Sequence, residues 1–260
     1  MAPLEGEGIN LIRLHIGTMG WSYDFWVGSL YPNGLKAEEF LTEYSKHFDT
    51  VEVDSTFYGV PYESTVLRWK AQTSAKFLFS LKFPEVITRK KMLKDCQEDV
   101  KRFIERISLL EDKLGPLLLQ FPYSFKPEHL SLLKNFLPTL PKKQRFAVEV
   151  RNKKLLDNSL FSLLRDNKVA LALVDQPFMP KLHETTADFT YIRWEGDRRK
   201  VKGTLGKVET DKSKEIADWA TQIRKFIDGS VEVFGYFSKF YSGHPPNDAE
   251  QLLRLLEMGS

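Results

Sequence analysis

A chain of 260 residues with 42% hydrophobic side chains can bury one large core, and a net charge of +3 is too weak to argue for a nucleic-acid surface. Cys96 is the sole cysteine, which excludes an intrachain disulfide and makes a reducing compartment, the cytoplasm, the expectation. No apolar run approaches the roughly 20 residues that span a bilayer, and the opening MAPLEGEGINLIRLHIG lacks the basic head and long apolar stretch of a signal peptide.

Leu11–Gly17 reads as a first strand, broken by Gly17-Thr18-Met19-Gly20. An aromatic-rich loop follows, with Trp21, Tyr23, Phe25 and Trp26, suited to capping a core or lining a pocket. Leu35–His47 has helical spacing. In Thr50–Gly59, Val51 and Val53 share one face of a strand, and Glu52 and Asp54 share the other. Two carboxylates on one face call for water, cations or a substrate. The bland alternative is ion pairing with neighbouring strands. Thr56, Phe57 and Tyr58 then form a polar and aromatic lip.

A helix is expected over Glu63–Gln72, and a strand over Phe77–Lys82, stopped by Pro84. Leu93–Glu111 carries the longest helical pattern, broken by Gly115-Pro116. Leu117–Gln120 is the fourth strand, and Pro127 suits the first turn of the next helix. Arg145–Val150 is the fifth strand, with Glu149 and Arg151 on one face. After a helix over Asp157–Arg165 comes Val169–Val174, apolar on both faces as a covered parallel strand should be, ending in Asp175. Phe189–Trp194 is the seventh strand, with Tyr191 and Arg193 on one face. The polar stretch Glu195–Asp211 is expected to be a mobile loop and a candidate lid. Ser213–Asp228, Val231–Phe237 and Asp248–Glu257 read as helix, eighth strand and last helix.

Strands alternating with helices imply a parallel sheet, and eight units at this length predict one α/β domain over residues 1–260, a (β/α)8 barrel with its core over residues 11–258. Neither G-x-G-x-x-G nor a P-loop is present, which weakens an open nucleotide-binding sheet. In such barrels the chemistry sits at the C-terminal ends of the strands. Those ends carry Glu52, Asp54, Lys82, Gln120, Glu149, Arg151, Asp175 and Arg193. Lys82, Arg151 and Arg193 are candidates to bind an anion, and Glu52, Glu149 and Asp175 to move protons. The alternative is a ring of salt bridges closing the mouth. Trp21, Phe57, Tyr58 and Tyr123 are candidate stacking surfaces, or simply an apolar roof. His244 is a candidate on the loop rim, whereas His15 belongs inside the barrel. No cofactor is expected. No Cys/His cluster or H-E-x-x-H signals a metal, although Glu52, Asp54, Glu149 and Asp175 offer oxygen ligands for Mg²⁺ or Mn²⁺.

The segments IGTMGWSYDFWVGSLYP, VEVDSTFYGVP, FSLKFPEVIT, LLLQFP, AVEVR, YIRWEG and GHPPNDA together resemble the YecE-like family, domain of unknown function 72. The resemblance runs from Ile16 to about Leu253 and implies a TIM barrel without implying a reaction. Residues on the recurrent motifs are Gly17, Trp21, Thr56, Phe57, Tyr58, Lys82, Gln120, Glu149, Arg151, Arg193 and Asn247. Two positions depart from it. The family often has histidine-glycine after its seventh-strand arginine, where this chain has Glu195-Gly196. It often has asparagines after the eighth strand, where this chain has Ser238-Lys239.

The first expectation is an enzyme of lyase, isomerase or hydrolase type, acting on a small phosphorylated or carboxylated substrate. A metal-dependent phosphodiesterase or nuclease is the second reading, although a nucleic-acid partner is not favoured. A non-catalytic ligand-binding protein is the third. No membrane partner is expected, and the sequence does not give the oligomeric state.

Overall fold

Side chains alternate across each strand, and here the inward set is the more polar one. That requires a closed wall, so that buried polar groups find partners across the interior. The computed structural model describes residues 14–258. Its eight strands are β1 (Leu14–Thr18), β2 (Thr50–Val53), β3 (Leu78–Lys82), β4 (Leu114–Phe121), β5 (Phe146–Val150), β6 (Ala170–Asp175), β7 (Phe189–Trp194) and β8 (Glu232–Phe237). All pair in parallel, in the order β1-β8-β7-β6-β5-β4-β3-β2. Seven α-helices cover the described wall: α1 (Phe40–Tyr44), α2 (Glu63–Ala71), α3 (Gln97–Ile107), α4 (Leu130–Phe136), α5 (Asn158–Asp166), α6 (Ser213–Asp228) and α7 (Pro245–Glu257). The chain is a (β/α)8 barrel, as its alternating pattern predicts.

The wall closes between β1 and β2 by one bridge, Met19 to Glu52, with Gly20 N–H donating to the Glu52 carbonyl at 2.8 Å. Next to it the Tyr44 hydroxyl, reaching in from α1, replaces the missing ladder. It accepts from Thr18 N–H at 2.9 Å and donates to the Thr50 carbonyl at 3.0 Å. Gly17 is required there, since a Cβ would stand 2.2 Å from the Thr50 oxygen.

Several expected boundaries differ, among them the helix expected over Leu35–His47, which shortens to α1. Residues 11–13 of the expected first strand lie outside the described residues. Leu93 does not start a helix: a π-turn at Val86–Lys90 and positive φ at Met92, Leu93 and Asp95 delay α3 to Gln97. Gly115-Pro116 does not break the chain but lies inside β4. There the register against β3 shifts, and Gly115 lets the strand pass Ser80 and Phe79 closely. Between β6 and β7 the described chain forms no helix. The stretch expected to be a mobile loop is joined to the barrel by hydrogen bonds. Glu209 accepts from the Lys202 and Gly203 amides at 2.9 and 2.7 Å, and the Glu209 and Thr210 amides donate to the Ser242 carbonyl.

The interior is layered. At the N-terminal floor His15 stacks on Phe234 at 4.7 Å and meets Asp49 and Glu232, while Arg145 pairs with Glu232 at 2.6 Å. In the middle, Tyr236 bonds Thr50 at 2.8 Å and Ser80 at 2.7 Å, beside Tyr191. Above them lies the charged layer.

Candidate functional site

Tyr191 lies in the inner cluster, so Arg193, two residues on, points inward as well. The Arg193 side chain, 2% exposed, is the hub of the charged layer. Nη2 and Nε donate to the two Glu52 oxygens at 2.7 and 2.9 Å, a bidentate pair. Nη1 donates to Glu149 at 2.7 Å and to Glu195 at 2.5 Å. Asp54 stands 3.7 Å away. Arg151 forms a second hub, bonding Glu195 at 2.7 Å and Gln176 at 2.8 Å and pairing with Glu149. Gln120 donates to Glu149 at 3.0 Å, and the Tyr191 hydroxyl to Glu52 at 2.7 Å.

Lys82 is held more loosely. Its ammonium lies 4.0 Å from Asp54 Oδ1 and 4.4 Å above the Phe57 ring, and makes no hydrogen bond to any described residue. Asp54 Oδ1 is itself buried without a hydrogen-bond partner among the described residues.

The shared charges divide the carboxyls. Burial pushes Glu52 up to about 7, with Asp54 adding to it, against the opposite pull of Arg193 and Tyr191. Burial also works against ionised Glu149 and Glu195, yet the two arginines outweigh it. They hold Glu149 below the usual carboxylate range and Glu195 at about 2. Burial, helped by the neighbouring Arg193 cation, lowers Lys82.

Above the hub lies a cleft of about 450 Å³. Gln120, Arg151 and Glu195 connect it to the charged layer, and Phe57, Tyr123 and Phe178 supply rings. Three more arginines line it. Arg89 lies 5.4 Å over Phe57, and Arg199 stacks over Phe178 while pairing with Asp197. Arg198 stacks over Phe240 and reaches 3.6 Å from Glu195. A larger hollow of about 580 Å³ lies between α3 and α4 on the outer layer, and none of the strand-end charges line it.

The structure gathers Glu52, Asp54, Lys82, Gln120, Glu149, Arg151 and Arg193, with Phe57 at the lip. Asp175 is a correction. Ala170 and Ala172 take the inward positions of β6, so Asp175 faces the helical layer. There it accepts from Trp219 Nε1 at 2.7 Å and Tyr241 at 3.4 Å, and pairs with Lys181 at 3.3 Å. His244 caps α7, accepting from the Asn247 amide at 3.3 Å, and its other ring nitrogen meets Ser29. Neither His244 nor Asn247 lines the cleft. Trp21 packs edge-on against Trp69, and Tyr58 stands 81% exposed beside Phe57. His15 is inside the barrel as expected, at the opposite end.

Glu195 was the main omission from the candidate set. Its position follows from the inward run Tyr191, Arg193, Glu195. Arg89, Arg198 and Arg199 come from loops whose sequence carries no period. Among the described residues no group of three or more His, Cys, Asp or Glu is arranged to hold a metal ion. The oxygens of Glu52, Glu149 and Glu195 that a divalent ion would use are turned onto guanidinium groups. No described helix is long and apolar enough to cross a membrane.

With this arrangement in view, comparison with known proteins gives a family. The profile described as "Protein of unknown function DUF72" matches residues 15–260. The chain belongs to this family. It is 37% identical over 139 residues to the UPF0759 protein YecE of Escherichia coli K12, covering 54% of this chain. That match spans about half of the relative, 48% of its length. The UPF0759 protein YunF of Bacillus subtilis is 24% identical over 94% of this chain and 95% of that protein. Among solved structures, a DUF72 family protein from Thermotoga maritima superposes with a TM-score of 0.79 at 26% identity, covering 94% of this chain and 99% of the other. A DUF72 family protein from Enterococcus faecalis gives 0.72 at 21% identity, over 94% and 97%, which speaks for the fold alone.

Proposed function

We propose that this DUF72 protein is an enzyme acting on a small phosphorylated or carboxylated substrate by proton transfer at the C-terminal face of its barrel. The observation that carries the reading is the pairing of an arginine-lined cleft with a half-satisfied proton donor and acceptor nearby. Arg89, Arg198 and Arg199 line the cleft above the charged layer. Lys82 and Asp54 lie beside that layer with hydrogen-bonding capacity unspent. The assignment of roles changes from the one the sequence suggests. Arg151 and Arg193 are occupied by glutamates, so the rim arginines and Lys82 receive the anion. Glu149 and Glu195 hold the guanidinium groups in place. Asp54 and Lys82 exchange protons with the substrate, and Glu52, raised to about 7, is a proton store behind Arg193.

A thermal-shift series with inorganic phosphate and small carboxylates tests this. Phosphate is expected to raise Tm, and the Arg89→Ala/Arg198→Ala double variant to need about ten-fold more phosphate for the same shift. A double variant that keeps the full response at the same concentration overturns the reading. The saturation of Arg193 and Arg151 by Glu52, Glu149 and Glu195 favours a second reading, a protein that binds such an anion without turnover. Substrate profiling that finds tight binding and no product would select it.

A further inference from the structure

Lys82 ends β3 on the inner face of the barrel, with 11% of its side chain still open. A surface lysine surrounds its ammonium with water, and a structural buried lysine donates to two or three oxygens. Lys82 does neither. No hydrogen bond holds it among the described residues, its one side packs on Phe57 at 4.4 Å, and Asp54 Oδ1 stops at 4.0 Å. That oxygen is buried without a hydrogen-bond partner among the described residues and stands 3.7 Å from Arg193, while the Asp54 side chain as a whole is 42% exposed. Burial and the nearby Arg193 cation both favour the neutral amine over the ammonium. An amine whose ammonium is disfavoured by burial, packed against a ring and placed beside another cation has the surroundings that activate lysine as a nucleophile.

We infer that Lys82 forms an imine with a carbonyl substrate, with Asp54 carrying the protons, so that the ligand of the cleft is an aldehyde or ketone bearing a phosphate or carboxylate. This rests on the anion reading for the charged half of the ligand and goes beyond it for the reacting half. The ammonium first gives a proton to Asp54. The free lone pair then attacks the carbonyl carbon: a C–N bond forms, the C=O π bond breaks, and Asp54 returns its proton to the oxygen. Asp54 next takes the proton that the nitrogen sheds, leaving a neutral carbinolamine, and passes it to the hydroxyl, which leaves as water while the nitrogen lone pair makes the C=N bond. Ammonium and carbonyl have become protonated imine and water, with Asp54 again a carboxylate and no change of oxidation state.

Trapping with cyanoborohydride, which reduces the C=N bond to a secondary amine, tests the step. The intact protein is incubated at pH 7 with dihydroxyacetone phosphate or pyruvate as probes, and adducts are mapped by peptide mass spectrometry. Lys82 is expected to be labelled at least about ten-fold faster than the exposed Lys142. The Asp54→Asn variant, which keeps the lysine, is expected to slow labelling of Lys82 several-fold. The Lys82→Arg variant, which keeps a cation at the position but has no attacking amine, is expected to lose the adduct. Labelling of Lys82 no faster than of Lys142 overturns the imine, and an unchanged rate in Asp54→Asn overturns the role of Asp54. Phosphate stabilisation without an adduct refutes the imine alone. An adduct without phosphate stabilisation refutes the anion reading instead.

Discussion

Arg193 satisfies three glutamates at once, so its value is best measured by what its loss leaves behind. Arg193→Met strands Glu52 in the interior and leaves Glu149 and Glu195 to Arg151. Unpairing a buried charge in this way costs roughly 3–5 kcal/mol. Urea unfolding at pH 7 is expected to show that loss, and much of it should return at pH 5, where the stranded carboxyl takes up a proton. Glu52 makes a separate prediction. Its carboxyl lies near 4.5 when unfolded and at about 7 when folded. Its contribution is therefore fully present below about 4.5 and is lost as pH rises through 7. Wild type should lose on the order of 2 kcal/mol across that window relative to Glu52→Gln, in denaturant titrations at matched pH. The difference between the two proteins isolates Glu52 from Asp248, which is also raised to about 7 by burial. At this scale the sequence was partly legible. The alternation of Val51, Glu52, Val53 and Asp54 told inside from outside. Val169–Val174, which leads into Asp175, is apolar on both faces, so nothing in it distinguished the face on which that acid lies.

The element with most leverage is α1, only five residues long, because its last residue closes the barrel. Tyr44→Phe leaves the Thr18 amide and the Thr50 carbonyl without their partner in a buried seam. Such a loss costs about 1–3 kcal/mol. Amide exchange at Thr18 should accelerate more than at Ile16, which sits deeper on β1, and equal acceleration would mean that the hydroxyl is no local staple. Neither the short α1 nor the delayed start of α3 could be read from residue spacing. Both depend on how the chain turns over the strand ends, and left-handed positions at Met92, Leu93 and Asp95 have no sequence signature when no glycine occupies them.

For the whole molecule, strand–helix alternation predicted the barrel because a parallel sheet needs crossovers, and crossovers have regular apolar faces. The charged rim was legible because charges followed apolar strand bodies. The loop arginines were not, since they reach the cleft through tertiary placement. The opposite end of the barrel gives an independent prediction. Burial alone would lower His15, but hydrogen bonds to Asp49 and Glu232 carry it from 6.5 up to about 9. Its stabilising share is present below about 6.5 and vanishes as pH climbs through 9. Wild type should lose on the order of 2 kcal/mol over that interval relative to His15→Gln in matched unfolding titrations. At the rim the carboxyls of Glu52, Asp54, Glu149 and Glu195 share the cations Lys82, Arg151, Arg193 and Arg198, and Glu52, raised to about 7, is poised to take up a proton near neutrality. An arriving anion favours that uptake further, so the ligand and a hydrogen ion should be captured together. Calorimetry of phosphate binding near neutrality, repeated in buffers of different ionisation enthalpy, should register that co-capture as a heat that tracks the buffer.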